Sequence, residues 1–228
     1  MLKLLRRILI GIVLLFILIQ CYFFALICWW SSHNPSSTSF MRHQLSILRE
    51  KNPDVQLQKQ WVPYDHISAN LKRAIIASED ANFSEHDGID WNAMEKAYQK
   101  NTKKGRVVSG GSTITQQLAK NLFLSGQRSY IRKGEEFIIT FMLEAALDKE
   151  RIFEIYLNVV EWGNGVYGAE AASRHYFGIS ALNLNASQAA RLAVMLPNPR
   201  FYDQNRGSAY LQKRTDLIVR RMGSSTLP

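Results

Sequence analysis

Cysteine is nearly absent from the chain. The two present, Cys21 and Cys28, share one apolar run, so nothing after residue 28 can form a disulfide or supply a thiolate. A catalytic cysteine is excluded there. Acidic residues are missing from the first 30 positions, and no internal repeat or low-complexity tract interrupts the 228 residues, which predicts one compact domain with an appendage. The common nucleotide signatures also fail. Gly105 to Gly110 nearly spells G-x-x-x-x-G, but Gly111 stands where a P-loop needs its lysine. Gly163, Gly165 and Gly168 match G-x-G-x-x-G by letter, yet they follow a helical pattern with no βαβ unit around them; tight backbone packing between helices is the expected reason for them. Glu85, His86 and Asp87 are consecutive and cannot converge on one ion, so His86 reads as a hydrogen-bonding residue in a turn.

What is present begins with Ile8 to Trp30, an apolar run broken only by Gln20 and long enough as a helix to cross about 30 Å of hydrocarbon. The run is too long for a cleaved leader and ends in Cys28-Trp29-Trp30 rather than small residues, which favours an anchor. Lys3, Arg6 and Arg7 precede it, so the positive-inside rule predicts residues 1–7 in the cytoplasm, a span over 8–30, and the remainder across the membrane. Trp29 and Trp30 are expected at the far interface. Those three cations account for part of the formal charge of +9 and leave +6 on the remainder. A basic exported domain suits a phospholipid surface or a phosphorylated substrate, and export argues against nucleic acid.

Residues 31–60 read as a polar linker, Ser31 to Ser39, and a membrane-proximal segment with a helix around Arg42 to Lys51; the folded domain is expected over 61–228. Beyond Pro63 the dominant spacing is helical. Ser68 caps a helix through LKRAIIASEDAN, Asp90 caps one over WNAMEKAYQK, two helices meet near Asp148 to Glu150, and Asn185 with Gln188 opens another that stops at Pro197 and Pro199. A mainly α domain follows.

Two stretches carry chemistry. In GGSTITQQLAKNL, Thr113 and Gln116 have capping-box spacing behind two glycines, and a helix start of that kind attracts anions; the plain alternative is a glycine turn with a capped helix. Glu79 extends the apolar stripe of Leu71 and Ile75 to a helix C-terminus, where desolvation and the helix dipole both raise a carboxyl pKa, as a general base requires. An ordinary ion pair is the competing reading. Asp80 is expected to face away from Glu79. Arg132 and Lys133 lie beside Glu135 and Glu136, a cluster that suits charge organisation or simply a solvated, salt-bridged face.

AIIASEDANFSEHDGIDW, GGSTITQQLAKNLF, RKGEEF and ERIFEIYLNVVEWGNGVYGAEAASRHYFG together resemble the ordered motifs of the peptidoglycan glycosyltransferases, glycosyltransferase family 51, over about residues 61 to 202. No S-x-x-K or K-T-G of a transpeptidase accompanies them, as in the family's monofunctional members. The resemblance implies a mainly helical, lysozyme-like domain outside the cytoplasmic membrane, with lipid II, the growing glycan strand, the phospholipid bilayer and other cell-wall synthesis proteins as partners. It implies Glu79 as the base that takes the acceptor 4-hydroxyl proton and Glu136, three residues after Lys133, as the second carboxylate at the donor diphosphate. Arg132 and Lys133 match the leaving-group clamp. Gly111, Thr113, Gln117 and Lys120 match the substrate-facing side of their motif, and Asp80, Phe83 and His86 match substrate-binding positions. No tightly bound cofactor is implied; a divalent cation, Mg or Mn, is the candidate at the diphosphate. Leu122, Phe123 and Leu124, with Arg128, are expected to dip into the membrane surface. A glycan-cleaving lysozyme-like enzyme and a non-catalytic scaffold for cell-wall synthesis are the alternative readings.

Overall fold

A computed structural model describes residues 1–106, 108, 110–124 and 129–228. It opens with α1 (Leu2–Trp29), a helix about 42 Å long at 1.5 Å per residue and therefore ample for a bilayer. The helix takes in Lys3, Arg6 and Arg7 as well as the expected span. Its outer surface is exposed, but one stripe turns to the domain. Ile27 is buried, Phe23 and Trp30 both pack on the Phe123 ring with centroids 4.5 and 5.4 Å away, and Trp29 stays exposed. Arg151 fastens the exit of the helix by donating from Nε to the Trp30 carbonyl and from Nη2 to the His33 carbonyl and Asn34 Oδ1.

The next elements are α2 (Ser39–Lys51), β1 (Gln58–Lys59) and α3 (Ala69–Glu79). Here residues 31–60 prove to be part of the folded body rather than a detached linker. Buried Thr38 caps α2, Met41 and Gln44 are buried, α2 packs on α5, and β1 pairs in parallel with β3. Period-3.6 patterning did not reveal a two-residue strand, because its partner lies about a hundred residues away.

The body itself is formed by α4 (Trp91–Lys104), α5 (Ile114–Phe123), α6 (Tyr130–Ala146) and α7 (Lys149–Val159), then β2 (Glu161–Gly163), β3 (Val166–Tyr167), α8 (Ala169–Phe177), α9 (Ala186–Met195), α10 (Pro199–Gln204) and α11 (Ala209–Arg221). Each predicted cap is made by the predicted side chain: Ser68 accepts from Asn70 N–H, Asp90 from Ala93 N–H, and Asn185 closes a capping box with Gln188. The expectation holds only in part over residues 161–168: Gly163 lies in a three-stranded sheet of order β1-β3-β2, whereas Gly168, the N-cap of α8, sits against the Asn158 backbone of α7. Gly168 has φ +84°, and a Cβ there would lie 2.7 Å from the Asn158 carbonyl oxygen, so both conformation and space require glycine.

Helix α3 packs against α9 and α11, and α5 against α6 and α7. The buried stripe of α3 is Leu71, Ile75 and Ile76. Glu79 comes next along it, and that placement brings a carboxylate to the edge of the core.

Candidate active site

Glu79 is the last residue of α3 and is half-buried. Its Oε2 accepts from Gln117 Nε2 at 3.0 Å, and its Oε1 accepts from the Ser78 hydroxyl at 3.3 Å. Burial pushes its pKa above the ordinary carboxylate value, and Asp80 adds to the rise; the two hydrogen bonds and Lys120 oppose it. The sequence-based alternative, a direct ion pair, is not formed with any cation among the described residues.

Asp80 turns the other way. Its Oδ1 lies 3.0 Å from His86 Nε2, while His86 Nδ1 accepts from the Gly88 N–H at 3.1 Å, which leaves the ring hydrogen on Nε2 to reach Asp80. Asp80 Oδ2 accepts from the Ile114 N–H, the first residue of α5. The anion at the start of this helix is therefore the chain's own carboxylate, which settles the helix dipole there. Thr113 is equally committed: its hydroxyl donates to the Gly88 carbonyl at 2.6 Å and accepts from Gln116 N–H in a complete capping box. Gly111 allows the approach of α4, since a Cβ there would sit 2.9 Å from Met94 Cα.

The α5 side chains that face the open cleft are Gln117 and Lys120, one and two turns farther along the helix. They line a cleft of about 550 Å³ with Glu79, and Leu196, Tyr210 and Arg214 form part of its wall. A smaller recess of about 170 Å³ next to it is bounded by Glu79, Asp80, Gly111 and Thr113. Burial lowers the pKa of Lys120; Glu136 and Glu79 pull it back up, while Arg132 and Lys133 lower it further. Lys120 thus lies within the electrostatic reach of both carboxylates.

Glu136 sits on α6, only 3% exposed, and accepts from Arg132 Nη1 at 3.0 Å and from Lys133 Nζ. Lys133 Nζ also approaches the Ser112 hydroxyl at 3.4 Å, which ties this charge cluster to the loop that borders the cleft. Glu136 is the buried member of the acidic pair.

The transglycosylase family model matches residues 46–223. The chain belongs to the transglycosylase family. Similar proteins include the biosynthetic peptidoglycan transglycosylases of Janthinobacterium sp. (strain Marseille) and Herminiimonas arsenicoxydans, each 70% identical over 99% of this chain and 100% of their own length. That of Bordetella pertussis is 52% identical over 99% of this chain and 95% of its own.

In this transglycosylase two expected contacts need correction. Phe83 is fully buried, packed on Phe153 at 5.4 Å and under Lys149, so it supports the loop from within and cannot touch a ligand in the cleft. Leu122 and Leu124 also face the core, and Phe123 packs on α1; Arg128 lies outside the described residues. The exposed apolar surface nearby belongs instead to α6, at Tyr130, Ile131, Ile138 and Phe141. Conversely, Lys100, Tyr210, Arg214 and Tyr156 escaped sequence reasoning. The first three reach the cleft wall from α4 and α11, and Tyr156 backs Gln117 from α7. Lys100, Tyr210 and Arg214 lie outside the family-like blocks; Tyr156 lies inside one, ERIFEIYLNVVEW, but its contact with Gln117 joins two helices and leaves no local signal.

Among the described residues no group of three or more His, Cys, Asp and Glu converges, and each Glu136 oxygen accepts from a cation; a divalent cation at the donor diphosphate would draw most of its ligands from the substrate's own oxygens and water.

Proposed function

We propose that the protein polymerises lipid II into β-1,4-linked glycan strands by inverting glycosyl transfer. The observation that carries this reading is a single half-buried carboxylate, Glu79, set in a cleft beside Lys120, with Arg132 and Lys133, paired to Glu136, within electrostatic reach of that lysine. Glu79 takes the proton of the acceptor GlcNAc 4-hydroxyl as its oxygen attacks the anomeric carbon of the donor MurNAc. The new C–O bond forms on the face opposite the breaking one, which inverts the centre. The electron pair of the broken bond leaves on undecaprenyl pyrophosphate, whose low basicity removes the need for a strong general acid. Cations fixed in advance near the departing diphosphate stabilise its growing charge. Glu136 holds two of them in place.

The α1 anchor supports a single-pass topology with residues before it in the cytoplasm and the cleft on the outer face of the cytoplasmic membrane, where a lipid-linked substrate resides. Ile131, 84% exposed, and Phe141 on α6 then meet the bilayer. Ile131→Asp with Phe141→Asp is expected to impair turnover of membrane-embedded lipid II and to spare a water-soluble, short-chain donor; equal effects on both would remove the bilayer contact.

The deciding experiment is lipid II turnover by detergent-solubilised full-length protein beside Glu79→Gln, with products resolved by size. Polymer from the parent and none from the variant is the expected result. Small fragments released from finished peptidoglycan would indicate a lytic enzyme instead.

A further inference from the structure

Gln117 bridges two unlike groups. Its Nε2 lies 3.0 Å from Glu79 Oε2 and its Oε1 lies 3.0 Å from the Tyr156 hydroxyl. Tyr156 is fully buried on α7, and among the described residues its hydroxyl has no other acceptor. A buried O–H with one acceptor in reach donates to it, since leaving the hydrogen unpaired is costly. That bond selects between the two orientations of the Gln117 amide. With the amide oxygen held by Tyr156, the amide NH2 must face Glu79, and an NH2 group can only donate. It matches an ionised carboxylate.

We propose that Tyr156 is a positioning residue for the transfer reaction: acting through Gln117, it keeps Glu79 ionised with Oε2 held by the amide, so that Oε1, which accepts only the longer 3.3 Å bond from Ser78, takes the proton of the acceptor hydroxyl. The proposal rests on Glu79 as the general base. Loss of the Tyr156 hydroxyl frees the amide to turn over and present its oxygen, which accepts from a protonated Glu79 and so favours the inactive form. The burial that raises the Glu79 pKa is normally offset in part by this fixed amide. The other charged groups facing Glu79 are Asp80 at its side, Lys120 on α5, and Lys100 and Arg214 across the cleft. None of them touches the amide, so they act alike in the parent and in a Tyr156 variant.

The test is the pH dependence of lipid II polymerisation by the full-length protein, with Tyr156→Phe, Gln117→Met and the double variant compared in detergent. The rate rises with pH as the base ionises. Tyr156→Phe is expected to move this rise upward by about one pH unit, the usual worth of a hydrogen bond to a charged group, with the rate recovering at high pH. Gln117→Met should move it at least as far. The double variant should move it no farther than Gln117→Met, because Tyr156 acts only through that amide. A loss by the same factor at every pH, or additive shifts, would overturn the proposal. So would an unmoved profile in Gln117→Met, a result that holds even if Tyr156→Phe fails to fold. Full activity in Glu79→Gln would instead remove the base assignment itself, whereas an inactive Glu79→Gln with unmoved profiles removes only the relay.

Discussion

Glu79 and Glu136 are the same residue type, both on helices and both withdrawn from solvent, yet their surroundings oppose each other. Glu79 accepts from an amide and a hydroxyl, with its nearest cation acting only at a distance; Glu136 is gripped by Arg132 and Lys133. An underpaired buried carboxylate has high proton affinity, whereas a carboxylate between two cations is an organiser of charge. In the proposed reaction, the set of partners is what separates the base from the charge organiser.

The contrast is broken most directly by charge removal. Glu79→Gln should lower the polymerisation rate by about 10²- to 10⁴-fold, the usual contribution of a general base. Product yield from lipid II checks this, and a comparable loss in Glu136→Gln would erase the distinction between the two. Arg132→Ala and Lys133→Ala should each cost roughly 10²-fold in kcat through lost stabilisation of the leaving group. A change confined to KM would argue that they only bind the ground state.

The pH profile sharpens the comparison. Because burial raises the Glu79 pKa, the acid limb of activity should lie above the 4.5 of a free carboxyl, and a limb at or below that value would contradict the underpaired environment. Stability supplies the smallest and most diagnostic effect. A raised folded-state pKa means that protonation favours the fold: no penalty exists below the unfolded pKa, and it grows as pH rises through the folded one. Glu79→Gln should therefore raise Tm at neutral pH. Glu136→Gln should lower it by about 1 kcal/mol equivalent, since it strands two partly exposed cations. Tm values of the two variants moving in the same direction would contradict the assignment.

Much of this was legible along the chain. Capping pairs such as Thr113 with Gln116 and Asn185 with Gln188 are local, so the elements they start could be placed from spacing. The Leu71, Ile75, Glu79 stripe likewise foretold a carboxylate at the core's edge, because helical periodicity links neighbours three and four apart. The α5 start shows the limit. Its glycines and capping box read as an anion site, but the anion proved to be Asp80, brought there by a turn whose path no local pattern encodes.

The sequence alone determined the N-terminal helix long and apolar enough to cross a membrane, the helical class, the absence of thiol chemistry beyond that helix, and the position of Glu79 at the end of an apolar stripe. These rest on composition and on spacings within a few residues. Only the tertiary structure decided that Phe83 is internal, that residues 31–60 join the body, that α4 and α11 complete the cleft, and that Tyr156 orients Gln117. Each of those depends on contacts between elements distant along the chain, where packing and hydrogen-bond geometry, rather than periodicity, fix which atoms meet.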